Sequence, residues 1–449
     1  MHIPPRSRGR ARVKADRSYA ARQLLLPLQR FVHTETNGAF VLLAAAIAAL
    51  VWANLGTGAS YENLWNSDVA LRVGAWSLSH TLREWINDAL MVVFFFVVGL
   101  EIKRELVHGE LSGWKRSALP VICAAGGMIV PAALYAAFNA HTNAASGWGI
   151  PMATDIAFAL GVLALLGDRL PSSVRVFLLA LAVVDDIGAI LVIAVFYTPH
   201  LEFLPLIAAF VVMVLIMVMQ RLQVRTIWQY IPISILFWFA VLESGIHATL
   251  AGVVLGLITP TRPDFAKSTF AKKAENLVQK FQSAVTGEDN STAEGALGEL
   301  EQLTISTEAP AERLVRLLHP WSSYLVLPIF ALANAGVPLS AAFAREALSS
   351  HLAQGIAAGL ILGKAAGITA FAYVAIRLRL ASPIPGVHWL QMTGIALLAG
   401  IGFTVSLFIT DLAFTDPSLV GIAKIAVLAA SFLAGIGGFA LLRTVKPPA

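Results

Sequence analysis

The chain has 449 residues, of which 57% are hydrophobic and only 13% charged, with a mean hydropathy of +0.73. Soluble domains carry about 25% charged residues, so this composition excludes an ordinary water-soluble fold and points to a bilayer as solvent. The net charge of +5 does not indicate nucleic-acid binding, because the basic residues stand at the ends of apolar segments rather than on one polar face. Residues 1–34 hold Arg6, Arg8, Arg10, Arg12, Lys14, Arg17, Arg22 and Arg30. They lack the compact apolar core and small-residue cleavage site of a signal peptide, so they read as a basic cytosolic tail. The bland partner for such a tail is anionic lipid. Cys123 is the single cysteine and lies in an apolar run, which leaves no intramolecular disulfide.

Apolar segments then recur with short polar punctuation. Spans are expected near 38–55, 86–107, 117–138, 148–166, 173–197, 203–219, 226–242, 245–260, 320–337, 353–376, 388–413 and 419–442. Each is roughly long enough for the ~30 Å hydrocarbon core at a rise of ~1.5 Å per residue. The fold class is therefore an all-α polytopic membrane protein of about twelve helices. Spans 1–8 occupy 35–260 and spans 9–12 occupy 313–443, with a short C-terminus at 444–449. The sequence Val69-Ala-Leu71-Arg-Val73 alternates ahead of a turn at Gly74, so a small β-hairpin is expected at about 61–82 on the outer face. Residues 261–312 form a polar cytosolic insert. Its stretch Phe265–Val285 has helical spacing and Gly287-Glu-Asp-Asn-Ser reads as a turn, which allows a helical pair or a disordered linker.

Lys and Arg alternate between loops. Lys103, Arg104, Lys115 and Arg116 fall in one; Arg169 and Arg175, Arg221 and Arg225, Lys267 to Arg313, and Arg377 and Arg379 fall in others, with Arg443 and Lys446 at the end. The intervening loops are poor in positive charge apart from Arg72, Arg83 and Arg345. By the positive-inside rule this gives an even number of spans with both termini in the cytosol.

Ionisable side chains at the centre of a spanning helix cost about 2.5–3.5 kcal/mol on insertion scales. Asp185 and Asp186 sit midway in their span, roughly 15 Å from its start at ~1.5 Å per residue, too deep for a short side chain to reach water. A purely structural neutralised pair would need partners for two groups projecting ~100° apart on a helix. The functional reading is a site for a small hard cation, because carboxylate oxygens suit such an ion and protons compete for the same oxygens. Asp155 lies in a segment, Gly147 to Gly161, that Pro151 and its glycines make a poor continuous helix. An interrupted helix exposes free NH groups and a partial positive charge that Asp155 could balance. Thr154 offers two oxygens as ligands, or serves as a helix cap. Lys364 lies about eleven residues into its span; it either snorkels or forms a buried ammonium paired with an aspartate. Leu398-Ala-Gly400-Ile-Gly402-Phe-Thr404 is a second glycine-broken span. Paired broken spans in corresponding positions of spans 3–5 and 10–12 point to inverted repeats with a site between them.

Several motifs, in order, resemble one known family. They are Ile86-Asn-Asp-Ala-Leu-Met91, Gly99-Leu-Glu-Ile-Lys-Arg-Glu-Leu106, Ala153-Thr-Asp-Ile-Ala-Phe-Ala-Leu-Gly161 and Leu179-Ala-Leu-Ala-Val-Val-Asp-Asp-Ile-Gly188, followed by His247-Ala-Thr-Leu-Ala-Gly252, His319-Pro-Trp321, Ala333-Asn-Ala-Gly336 and Gly400-Ile-Gly-Phe-Thr404. Together they look like the NhaA-type sodium/proton antiporters, over about 35–443 apart from the insert. The resemblance implies a secondary transporter of the bacterial inner membrane, not an enzyme, with no cofactor. It would export Na+ or Li+ electrogenically against protons, for sodium and pH homeostasis. It implies an ion site at Asp185 and Asp186, with Asp155 and Lys364 balancing two crossed, interrupted helices and Lys364 facing Asp185. It also implies a homodimer with the outer hairpin contributing, and pH sensing through Glu101, Arg104, Glu105 and His319. Val315 and Arg316 depart from the family's usual acid and histidine there, and Glu312 lies one turn earlier, so a shifted pH threshold is expected.

Other classes fit less well. An intramembrane aspartyl protease also uses two membrane aspartates, but adjacent aspartates on one helix cannot face each other across a scissile bond. A passive cation channel has no need of a buried lysine beside its carboxylates. No Gly-x-x-x-x-Gly-Lys-Ser/Thr motif offers a site for nucleotide.

Overall fold

The computed structural model describes residues 36–444, except 56–57, 74–75, 199–200, 223, 225–226, 264–266, 288, 341–344 and 348. The basic tail at 1–34, the Gly74 turn and the end of the C-terminus, Lys446 included, lie outside the described residues. Among those described, nine helices are long and apolar enough to cross a membrane. They are Thr36–Asn54, Leu82–Val107, Trp114–Asn139, Ala145–Leu165, Ser172–Phe196, Phe203–Arg221, Pro310–Asn334, His351–Arg377 and Pro417–Thr444. A tenth crossing is a bent pair, Trp389–Leu398 and Phe403–Ala413, inclined by 49°. The chain is thus a multi-pass membrane protein.

The remaining two expected spans are shorter apolar helices, Ile227–Glu243 and Thr249–Ile258. Gly245 adopts φ +81 between them, which ends the first helix in a turn and delays the second. The ten-residue helix compensates for its length by close packing. Gly252 and Gly256 face the backbone of Leu82–Val107, and a Cβ at Gly99 would meet the backbone of Val253. Small residues on both helices let the two backbones approach, which gains dispersion contacts where no hydrophobic force separates protein from lipid.

The hairpin is present as Asp68–Val73 paired antiparallel with Trp76–Thr81, in register from Asp68↔Thr81 to Val73↔Trp76. Its first part differs from expectation, because Ala59–Trp65 is a short helix whose Tyr61 and Trp65 rings stack edge-on with Trp52. A capping box between Thr81 and Glu84 then starts the next span. The insert carries two helices, Lys267–Thr286 and Asn290–Thr307. Asp289 caps the second by accepting from Thr292 N at 3.1 Å, and Lys280 meets Glu299 at 3.3 Å. Ala284, Ala293, Ala296 and Leu303 are buried between the pair.

Two spans are interrupted where Pro and Gly weaken the α-helix. Ala145–Met152 is a tighter 3-10 segment, residues 153–155 are extended, and an α-helix resumes at Ile156. The second break lies at residues 399–402, between the two helices of the bent pair. A Cβ at Gly400 would collide with the Leu360 carbonyl, so the close approach of these backbones requires glycine there.

Candidate functional site

The two interruptions lie against each other. Asp155 N donates to Ile401 O at 2.6 Å, Thr154 Oγ1 donates to Ala399 O at 2.7 Å, and Ser406 Oγ donates to Ile150 O at 2.7 Å. Asp155 serves both helix ends at once. Its Oδ1 accepts from Phe158 N at 3.1 Å, and its Oδ2 accepts from Thr404 N at 3.1 Å and Thr404 Oγ1 at 2.5 Å. A carboxylate at two helix N-termini answers both their free NH groups and their partial positive charge. Ser431 completes the second end by accepting from Gly402 N and Phe403 N, each at 3.2 Å. Thr404 and Ser431 were not singled out from sequence. Thr404 stands inside the glycine-broken motif, a signal that could have found it, whereas Ser431 lies 27 residues further on with none.

Ser172–Phe196 brings Asp185 and Asp186 beside this crossing, both buried. Lys364 reaches them from His351–Arg377, just after a one-turn π segment at Ala358–Gly363. Such segments widen a helix by a residue and re-aim the side chains that follow. Lys364 Nζ donates to Asp185 Oδ2 at 2.5 Å and to Thr154 Oγ1 at 3.0 Å. Both partners are sealed from solvent, with side-chain exposures of 1% and 2%. Lys364 therefore does not snorkel. The other Asp185 oxygen, Oδ1, is buried and has no hydrogen-bond partner among the described residues.

Asp186 faces elsewhere. It lines a cavity of about 40 Å³ together with Thr154, Asp155, Glu101, Ser322 and Thr404. By volume this holds a few water molecules or one small, partly hydrated cation. The cavity thus has an ionisable carboxylate on its wall and an ion-paired one immediately behind it. Oxygen ligands suit a small hard cation, and a proton can take the same oxygens.

Glu101 and His319 lie on the same cavity, 3.8 Å apart. Arg104 and Glu105 follow one turn on, 3.9 Å apart, and Glu105 Oε2 accepts from Glu110 N at 3.1 Å. Val315 packs with Leu100 and Ala311 in a small buried cluster, and Arg316 pairs with Glu308 of the insert at 2.5 Å.

Sequence reasoning also missed a second buried polar cluster, formed by Lys424, Asp411, Asn334 and Asn87. Lys424 sits in an apolar run, which is its one sequence signal.

Crossed interrupted spans around a buried ion pair and a small polar cavity define the class: a membrane transporter with its site between broken helices. Comparison with known proteins narrows this. The Na+/H+ antiporter 1 family matches residues 29–442, and the chain belongs to that family of secondary transporters. A protein of Oleidesulfovibrio alaskensis named Na(+)/H(+) antiporter NhaA is 46% identical over 427 residues, 94% of this chain and 95% of its own. Na(+)/H(+) antiporter NhaA 2 of Sorangium cellulosum is 44% identical over 430 residues, 96% and 92% of the two chains. The Na(+)/H(+) antiporter NhaA of Citrobacter koseri is 43% identical over 425 residues, 94% and 99%.

Proposed function

We propose that the chain exchanges Na+ or Li+ for protons at Asp185 and Asp186, electrogenically, in the bacterial inner membrane with both termini cytosolic. The observation that carries this is the cavity-facing Asp186 carboxylate next to an Asp185–Lys364 ion pair. Charge counting gives the mechanism. With Asp186 protonated and Lys364 paired to Asp185, the site is neutral. A cation binding both carboxylates displaces the Asp186 proton and competes with Lys364 for Asp185. If Lys364 then releases its proton, two protons leave for one cation, and the cycle moves charge. An empty, doubly charged site crosses poorly, because desolvation of unpaired charge is costly. This keeps exchange coupled.

Support for the orientation is the alternation of Lys and Arg between loops. The twelve-span arrangement with inverted repeats remains our reading of the two interruptions and the two short helices. A homodimer through the outer hairpin and pH sensing at Glu101, Arg104, Glu105 and His319 belong to the same proposal.

The test is proton movement in everted vesicles carrying the chain, followed with a pH-sensitive dye as sodium, lithium or potassium is added from acid to alkaline pH. Collapse of the gradient by sodium or lithium, absent in inserted Asp185→Asn and Asp186→Asn, supports the reading. Normal exchange by Asp186→Asn removes the site assignment. Sodium flux without proton movement favours the channel instead.

A further inference from the structure

The second polar cluster is a closed ring across one seam of the molecule. Lys424 Nζ meets Asp411 Oδ1 at 2.8 Å and donates to Asn334 Oδ1 at 3.4 Å. Asn334 Nδ2 donates to Asn87 Oδ1 at 2.8 Å, and Asn87 Nδ2 returns to Asp411 Oδ2 at 3.4 Å. Lys424 and Asn334 are buried, and the Asp411 side chain is 18% exposed. A largely buried pair of opposite charges is costly to leave half-made and favours one arrangement of its helices.

Asn87 and Asn334 belong to Leu82–Val107 and Pro310–Asn334; Asp411 belongs to Phe403–Ala413 and Lys424 to the last helix. The cavity at Asp186 lies between the first three of these helices, beside Ala145–Leu165 and Ser172–Phe196. Val98 and Glu101 of the first and Ser322 and Ser323 of the second face Thr404 and Val405 of the third. Between cavity and ring, Phe408 packs against Phe95 and Phe330, with centroids 5.4 and 6.4 Å apart. These three helices therefore each contribute to the cavity, to the aromatic level and to the ring. Thr404, Phe408 and Asp411 follow at successive turns, as do Leu327, Phe330 and Asn334, so the ring stands roughly 10 Å beyond the cavity. It is on the side of the outer hairpin, since Asn87 follows the second strand by six residues.

We infer that the Lys424–Asp411–Asn334–Asn87 ring is the outer gate of the transporter, which shuts the seam on the hairpin side while the cavity holds Asp186 on the other. This rests on the antiport reading. An ion that reaches Asp186 from both faces in turn requires the seam to open alternately at each end. The aromatic level supplies the dry seal. The ring supplies directional polar contacts, which have one closed geometry and are replaced by water when the seam opens.

The test uses the full chain with Cys123→Ser and a single reporter, Val405→Cys, on the cavity wall. A membrane-impermeant maleimide is applied to right-side-out and to everted vesicles. With the ring intact, labelling should be slow from the hairpin side. Asp411→Asn and Lys424→Met should each speed it about tenfold or more, since even part of a buried pair's coupling shifts a two-state equilibrium by that factor. The same variants should slow labelling from the opposite side. Exchanging the two charges, Asp411→Lys with Lys424→Asp, should return the rates toward the parent. If either charge variant does not insert, Asn87→Leu reads the same seam with the ion pair left in place. Fast labelling of the parent from the hairpin side overturns the proposal. So does a change below twofold in all inserted variants. Labelling needs no ion exchange, so its outcome stands apart from that of the dye assay.

Discussion

The Lys364–Asp185 pair allows a quantitative test that does not depend on transport. Lys364→Met keeps most of the side chain's length and removes its charge, leaving Asp185 buried at 2% exposure opposite a thioether. Breaking a buried ion pair on one side costs about 3–5 kcal/mol. Unfolding entropies of soluble proteins, ~2.1 cal/mol/K per residue, would total roughly 0.9 kcal/mol/K for a chain of this length, or about 1 °C per kcal/mol. Helices that persist in detergent lower that entropy, so a fall in Tm of about 3–5 °C is a minimum. Asp185→Asn should cost a similar amount by stranding the ammonium. The double variant should recover much of the loss, because removing both partners is far cheaper than removing one. The two single variants should have opposite pH slopes. The deficit of Lys364→Met shrinks as pH falls, because a protonated Asp185 needs no counter-charge. The deficit of Asp185→Asn shrinks as pH rises, because a neutral Lys364 needs none. Thermal unfolding in detergent across pH, run as a double-mutant cycle, reads all of this. A coupling near zero with parallel slopes would show that the pair is not energetically real.

Three further outcomes are expected. Asp155→Ala strips a cap from two helix ends, so it should lower stability by about 1–2 kcal/mol per end and slow exchange, with Asp155→Asn retaining more of both; unfolding midpoints and dye assays on the two variants check this. Deletion of 265–306 removes nearly all of the two insert helices while leaving Glu308, Arg316 and the cavity residues in the chain, and should shift the activity-versus-pH curve; superimposable curves would end the role assigned to the insert. Hydrogen bonds from Thr292 and Ser291 hold the Asp289 carboxyl below the usual aspartate range. A depressed value in the folded state means stability that is present above the ordinary range and lost as pH falls through the folded one. Asp289→Ala should therefore speed hydrogen exchange at the start of Asn290–Thr307 near neutral pH, and the difference from the parent should vanish in strong acid.

Much of the site was legible because the bilayer makes polar residues conspicuous. Asp185, Asp186 and Lys364 stood out against apolar runs, and Asp155 stood out in a segment that Pro151 and its glycines would not let run as a continuous helix. Lys424 and Asp411 were passed over for a related reason. Each lies near the edge of its expected span, 419–442 and 388–413, where snorkelling is the ordinary assumption. Asn87 and Asn334 were visible only as members of motifs, since an amide near a helix end carries little cost by itself.

The sequence alone determined the solvent, the succession of apolar spans, the two interruptions and which charges were too deep to be accidental. These follow from composition and period along one chain. Composition and period did not determine that Lys364 meets Asp185, which only the family resemblance implied, nor that Asp186 is left to the cavity, that Asp155 serves two helix ends, or that four residues from four helices close one ring. Those are distances between segments up to some 300 residues apart, fixed by how closely glycine-lined backbones approach, and no local pattern encodes them.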